Sequence, residues 1–214
     1  MKILCFDTSL DKTYIALGSG DTCECCEIKS DDTNYHSAYL IPKIKQMLED
    51  KNLTLKELDA LCVNCGPGSF TGIRAALSVA KVMALELDLP VVTLNSCEIL
   101  KSASGDDSVV LLDARRLMYY YYEDSKIELI LKDDVENKIK NKKVICDSGV
   151  YRDFLGVFGA EFINYEEQNY PLASVMYKLA IKKLSVSKCP KEDFAHAKLR
   201  ANYIQTPPVF TKGN

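Results

Sequence analysis

The sequence predicts an α/β fold of two lobes built from one repeated unit. Three observations lead there. The segments ILCFDTSLDKTYIAL and VVLLDARRLMYYYYE each run an apolar strand into an aspartate, Asp7 and Asp113. Each is followed by strand, strand, helix, strand and helix in the same order, as an internal duplication requires. In the first half, the apolar run Ala60 to Cys65 breaks at Gly66, Pro67 and Gly68 into a long helical pattern, the strand, turn and helix of an α/β sheet.

In order, Lys2 to Asp7, Thr13 to Leu17 and Thr22 to Ile28 read as a three-strand meander. From His36 to Asp50 the spacing of Leu40, Ile44, Met47 and Leu48 is helical, and Pro42 is tolerated only in a first turn, so the helix starts near Ser37 or Ala38. Thr54 and Glu57 have the spacing of a capping box ahead of the strand Ala60 to Cys65. Ser69 stands at the N-cap of a helix running to Leu87, followed by a strand at Pro90 to Leu94 and a helix from Ser96. The second unit has strands at Val109 to Asp113, Leu117 to Glu123, Lys126 to Leu131 and Lys143 to Cys146. It has a short helix at Val135 to Lys140, a break at Asp147 to Gly149 and a helical stretch at Tyr151 to Val157. Residues 1–104 are expected to form the first lobe and 105–190 a smaller second lobe, with 191–214 an unassigned tail.

The helix after Ser69 is apolar nearly all round. Phe70, Ile73, Leu77, Ala80, Ala84 and Leu87 form one stripe, Ala75, Ala76, Val79, Val82 and Met83 extend it, and only Arg74, Ser78, Lys81 and Asp88 are polar. Such a helix must be covered on more than one side, by its own sheet and helices or by a second protein. Its Gly-rich turn could cradle a phosphate, but Ile73 and Arg74 follow Gly72 where a P-loop needs Lys and Ser or Thr, and Thr71 stands where a dinucleotide fingerprint needs Gly. A structural turn with a helix cap is the competing reading.

With 27 Lys plus Arg against 30 Asp plus Glu in 214 residues, the chain lacks the basic excess of a protein that binds nucleic acid alone. No apolar run reaches the roughly 20 residues of a membrane span, and MKILCFDTS reads as a strand, so a cytoplasmic protein with no membrane partner is expected. Nine scattered cysteines suit a reducing compartment. Cys62 and Cys65 spell C-x-x-C in a strand, where residues three apart face opposite ways. Cys23 and Cys25 share a strand face without further ligands nearby, and core packing is the expected use. Only two histidines, His36 and His196, are present, and no metal cage of the usual kind suggests itself. Tyr119 to Tyr122 alternate across a strand. Arg115 and Arg116 read as surface charge, with RNA contact the sharper alternative.

Two such lobes resemble the actin, sugar kinase and heat-shock ATPase superfamily, a ribonuclease H-like fold, here with a reduced second lobe. In that fold the two strand-ending aspartate turns face each other across a nucleotide cleft. The resemblance implies weak ATP or ADP binding at Asp7, Thr8, Ser9 and Asp113, and an alternative function as a small ATP-dependent phosphotransferase. Against this, Asp after a strand is a common turn residue, and no Gly-Gly adenosine loop is found in the second half.

A closer resemblance rests on FDTS at Phe6 to Ser9, H-S-x-x-L-I-P from His36 to Pro42, GPGSFTGIR from Gly66 to Arg74, and LDARR from Leu112 to Arg116. These motifs resemble the TsaB (YeaZ) family, which helps make the threonylcarbamoyladenosine beside the anticodon of tRNAs. The match fades after Asp147, and KLRANYIQTPPVF resembles the family's ending only loosely. The resemblance implies a non-catalytic scaffold, active as part of a tRNA N6-adenosine threonylcarbamoyltransferase, with no catalytic residue, metal or required cofactor of its own. It implies pairing with a TsaD-like catalytic subunit, recruitment of a TsaE-like ATPase, a homodimer when alone, and contact with tRNA only through the complex. The catalytic paralogue carries an H-x-x-x-H metal motif where His36 is followed here by Leu40, and the older glycoprotease label finds no zinc motif either. The implied interface uses His36, Tyr39, Leu40 and Lys43 of the first helix. From the long helix it uses Phe70, Ile73, Arg74, Ala76, Leu77, Ala80, Lys81 and Ala84.

Overall fold

The computed structural model describes residues 1–29, 36–105, 107–156 and 159–201, with the side chains of His36 and Ser37 outside that description. The first sheet is assembled from β1 (Lys2–Asp7), β2 (Thr13–Ser19), β3 (Thr22–Ile28), β4 (Ala60–Asn64) and β5 (Val91–Leu94) in the order β3-β2-β1-β4-β5. The meander pairs antiparallel, and β4 and β5 add parallel to β1. The second sheet repeats this plan. β6 (Ser108–Asp113), β7 (Met118–Glu123), β8 (Lys126–Leu131), β9 (Lys143–Cys146) and β10 (Glu161–Asn164) lie in the order β10-β9-β6-β7-β8, again antiparallel in the meander and parallel beyond it.

The duplication is thus more complete than the sequence suggests. The helices are α1 (Leu40–Asp50), α2 (Phe70–Leu87) and α3 (Ser96–Ser104) in the first unit, and α4 (Val135–Ile139), α5 (Ser148–Phe154) and α6 (Leu172–Val186) in the second. Strand β10 and helix α6, absent from the sequence reading, supply the missing end of the second repeat. The two sheets are equal in strand number, and the reduction of the second lobe falls on its helices: α4 and α5 have 5 and 7 residues where α1 and α2 have 11 and 18. Asp147 to Gly149 is no separate turn. The Asp147 side chain caps α5 by accepting the Val150 N–H at 2.9 Å, so the helix starts at Ser148, and the predicted end at Val157 lies outside the described residues.

Period-two alternation places the core on both faces of each sheet. Ile3 and Cys5 of β1 face inward with Val110 and Leu112 of β6, and between the sheets lie Cys97 and Leu100 of α3 and Met176, Tyr177 and Ala180 of α6. Leu4 and Phe6 face the other way, onto α1 and α2, while Val109 and Leu111 face α4 and α5. Although α6 belongs to the second repeat, it packs on β1, β2, β3 and β5 of the first sheet and against α3. The tyrosine run alternates as expected, Tyr119 and Tyr121 beneath α4 and α5 and Tyr122 on the inner side. After α6 come α7 (Pro190–Asp193) and a short turn at His196–Lys198. The chain then returns to the first lobe: the Phe194 carbonyl accepts the Val91 N–H at 2.8 Å, and Leu199 is buried on the α1 and α2 side.

Candidate functional site

The sequence directs attention to two places, the aspartate turns and the outer face of α1 and α2. At the first, β1 ends in Asp7, whose carboxylate is fully buried. Its Oδ1 accepts the Ser9 N–H at 2.8 Å and the Ser9 hydroxyl at 2.6 Å, and its Oδ2 accepts the Leu10 N–H at 3.3 Å. Burial pushes the carboxyl above its ordinary range, while the bonds from Ser9 pull the other way. The Thr8 hydroxyl donates to the Gly72 carbonyl at 2.7 Å. The Ser9 carbonyl accepts the Ser69 N–H at 2.8 Å.

The glycine turn therefore closes over the aspartate turn. Ser69 caps α2 by accepting the Gly72 N–H at 3.2 Å, as its sequence position predicts. Gly72 lies so near Thr8 that a β-carbon on it would meet the Thr8 carbonyl oxygen at 1.9 Å. Asn64, a residue the sequence did not mark out, joins the pieces. Its amide donates to Ser9 Oγ at 3.0 Å and Ser96 Oγ at 2.9 Å, and its oxygen accepts the Gly66 N–H at 3.0 Å. A polar residue ending a strand reads as a turn former, so nothing in the sequence distinguished it.

Asp113 bonds within its own lobe. Its Oδ1 accepts the Arg115 N–H at 2.6 Å, the Arg115 guanidinium lies 3.2 Å from Oδ2, and its N–H donates to Asp147 at 2.7 Å. Arg115, Arg116 and Leu117 form the turn in consecutive left-handed conformations, and Arg115 is 86% exposed. Tyr165 is buried in the core between the two sheets. Burial first, then the charges of Asp11, Glu166, Asp147 and Asp7, push its phenol well above the usual range. Among the described residues, no three His, Cys, Asp or Glu side chains gather as a metal would need. Cys62 and Cys65 face opposite sides of the sheet, Cys62 in the inner core and Cys65 toward α2.

On the outer face of α1 and α2 the residues of the expected interface divide by burial. Ile73, Ala76, Leu77, Ala80 and Ala84 of α2 and Leu40 of α1 are at most 7% exposed and pack on β1, β2 and β4. This part of the apolar stripe is covered by the chain's own sheet, each large member contributing roughly 1.5–3 kcal/mol by burial. Of the expected set, Phe70, Arg74 and Lys81 stay exposed, and Tyr39 and Lys43 are half-buried. The side chain of His36 lies outside the described residues. The Arg74 guanidinium sits 5.3 Å from the Phe70 ring centroid.

A different apolar surface remains. Ile41 is 62% exposed, and Val82 and Leu85 are each 69% exposed. Between α1 and α2 runs a groove of about 710 Å³ lined by Ile41, Ile44, Leu48, Leu53, Leu55, Val79, Val82 and Met83, with Lys45, Glu49, Thr54 and Ser78 at its polar margins. Val79, Val82 and Met83 were legible as apolar flanks of the helix. Ile41 and Leu55 carried no such signal, because single apolar residues in polar stretches are ordinary surface.

Comparison with known proteins places these features. Residues 30–144 match the family model described as TsaD, tRNA N6-adenosine threonylcarbamoyltransferase. Among curated proteins, the chain is similar to the tRNA threonylcarbamoyladenosine biosynthesis proteins TsaB of two bacteria. It is 36% identical to that of Buchnera aphidicola over 99 residues, 46% of this chain and 44% of that protein. It is 36% identical to that of Bacillus subtilis over 100 residues, 47% and 43% respectively. These matches span less than half the length of either relative. Among solved structures, YeaZ from Pseudomonas aeruginosa superposes with a TM-score of 0.65 at 20% identity, over 86% of this chain and 92% of that one. That likeness bears on the fold alone.

Proposed function

This chain belongs to the TsaB (YeaZ) family, and from that membership we propose that it is a non-catalytic scaffold in the modification of tRNA by threonylcarbamoyl transfer. In this reading it holds a TsaD-like catalytic subunit in a competent state, a TsaE-like ATPase joins the pair, and tRNA is met only through the assembly. The observation that carries the reading is the groove between α1 and α2. An apolar surface of this size, with side chains such as Val82 more than two-thirds exposed, is a mark of a protein contact. Lys45 and Glu49 supply charge at its margin. Supporting the non-catalytic part, the carboxylate of Asp7 is buried and engaged by its own turn, beneath the glycine loop.

The test is tRNA threonylcarbamoylation in a mixture of the catalytic subunit, the ATPase and preformed threonylcarbamoyl-adenylate, with and without this chain. Strict dependence on the chain, with none of the activity from it alone, supports the scaffold. Equal modification in its absence overturns it and returns Asp7 and Asp113 to the phosphotransferase reading. Loss of modification with Val82→Glu, in a variant that stays folded, assigns the contact to the groove.

A further inference from the structure

On the edge strand of the first sheet, Cys23 and Cys25 project from the same face of β3 with their sulfurs 3.6 Å apart. Cys25 is exposed and Cys23 half-buried, unlike Cys5 and Cys62, which are enclosed. This departs from the core packing expected of the pair. We infer that Cys23 and Cys25 form a reactive dithiol that a small-molecule disulfide oxidises to an intrastrand cystine. The inference stands apart from the scaffold reading, because neither thiol lines the groove between α1 and α2.

The chemistry balances with that co-reactant. The Cys23 thiolate attacks one sulfur of the small disulfide, forming a mixed disulfide and releasing the first small thiol. Cys25 then loses its proton and attacks the Cys23 sulfur, releasing the second. Two protein thiols are oxidised, the small disulfide is reduced, and both protons leave on the small thiols. The site favours this order. One thiol hydrogen-bonds to the other, and the Ser174 hydroxyl oxygen of α6 lies 3.9 Å from Cys23. Burial, then the contact with Cys23, pushes the Cys25 thiol up to about 12, so its proton is held until the second step.

The strand allows the closure and makes it reversible. Alternate residues of a strand have Cα atoms about 6.8 Å apart, the upper end of the roughly 4.4–6.8 Å range of disulfides. Closing the bond puckers β3 at Glu24, which an edge strand tolerates because, among the described residues, β2 is its only sheet neighbour. A stretched disulfide is readily reduced. Cys26, next to Cys25 in sequence but on the opposite face toward α1 and α2, is the built-in control.

The folded protein is incubated with graded ratios of oxidised to reduced glutathione, quenched by alkylation and read by mass spectrometry of the peptide spanning β3. The expected product lacks two hydrogens, with Cys23 and Cys25 protected from alkylation and Cys26 alkylated, and added reduced glutathione reverses it. Cys25→Ser accumulates a glutathione adduct on Cys23 that the wild type resolves, and Cys23→Ser likewise holds an unresolved adduct on Cys25. Circular dichroism verifies that both variants remain folded. A persistent adduct in the wild type, pairing through Cys26, or full alkylation of both thiols at every ratio overturns the inference.

Discussion

Gly72 on α2 and Thr8 after β1 approach so closely that no residue with a β-carbon fits between them: the added atom would lie 1.9 Å from the Thr8 carbonyl oxygen and 2.7 Å from its carbonyl carbon. The obstacle is backbone, which cannot rotate aside as a side chain would. Gly72→Ala must therefore push α2 away from the aspartate turn, breaking the Thr8 hydroxyl bond to the Gly72 carbonyl. The expected cost is about 3 kcal/mol, at the upper end for overpacking. It is read as a lower urea midpoint at unchanged slope. Thr71→Ala, one residue earlier and exposed, should stay within about 0.5 kcal/mol of the wild type; because Ala is the better helix former, a Gly72→Ala protein as stable as the wild type would show that no clash is felt.

Two substitutions two residues apart on α2 separate core from contact surface. Ala80 is fully buried and Val82 is 69% exposed. Ala80→Glu places an unpaired carboxylate against the first sheet and should prevent folding, an effect larger than about 4 kcal/mol. Val82→Glu should leave urea stability within about 0.5 kcal/mol while abolishing both self-association and capture of a TsaD-like subunit. Size-exclusion chromatography with light scattering and co-purification read the second arm. Unchanged partner capture by a folded Val82→Glu protein would remove the groove from the interface.

Acid titration tests the closed aspartate turn. Because burial holds the Asp7 carboxyl above its ordinary range, the folded chain binds this proton more tightly than the unfolded chain. Between the unfolded value of about 3.9 and the raised folded value, the native state carries more protons, so Asp7's contribution to stability falls as pH rises through that interval. It is most unfavourable above the interval and relieved below it. Asp7→Asn cannot titrate, and so the wild-type stability minus that of the variant should decline from acid pH to a plateau near neutrality. Urea midpoints at several pH values give the difference. A difference that grows with pH would mean that the Ser9 bonds dominate and depress the carboxyl.

The boundaries of these elements and the closed turn were unequally legible. Strands β1 and β3, the cap at Ser69 and the Thr54 and Glu57 box were readable because each depends on local chemistry: the Glu57 carboxylate accepts the Thr54 N–H at 2.8 Å within one turn. Helix α6 was readable in principle, since Leu172, Met176, Ala180 and Leu184 recur at intervals of four. Its packing on the first lobe was not, for periodicity gives a face and no partner. The same limit explains the stripe on α2. Ile73, Leu77 and Ala80 read as residues that something must cover, their own sheet or a partner, and only tertiary structure shows that their own sheet buries them and leaves Val82 and Leu85 outside. The thiol pair shows the converse: shared face follows from spacing, whereas exposure depends on β3 being an edge.

Asn64 offers the sharpest test of what holds the two turns together. It is fully buried and makes three hydrogen bonds, to the Ser9 hydroxyl, the Ser96 hydroxyl and the Gly66 N–H. Asn64→Leu preserves volume but strands a buried N–H and two hydroxyl oxygens, each worth about 1–3 kcal/mol when left unmade. Since the hydroxyls can turn toward other acceptors, the expected loss is about 3 kcal/mol and falls short of the full sum. Asn64→Asp keeps the acceptor for Gly66 but removes both donated bonds and adds a carboxylate in the region where Ser9 already serves Asp7. Its loss should therefore deepen as pH rises and this second carboxyl ionises, whereas the loss in Asn64→Leu should carry no such added dependence. Paired urea titrations at acid and neutral pH distinguish them. Parallel behaviour of the two variants would show that cavity shape alone, and no shared polar network, determines the stability of the turn.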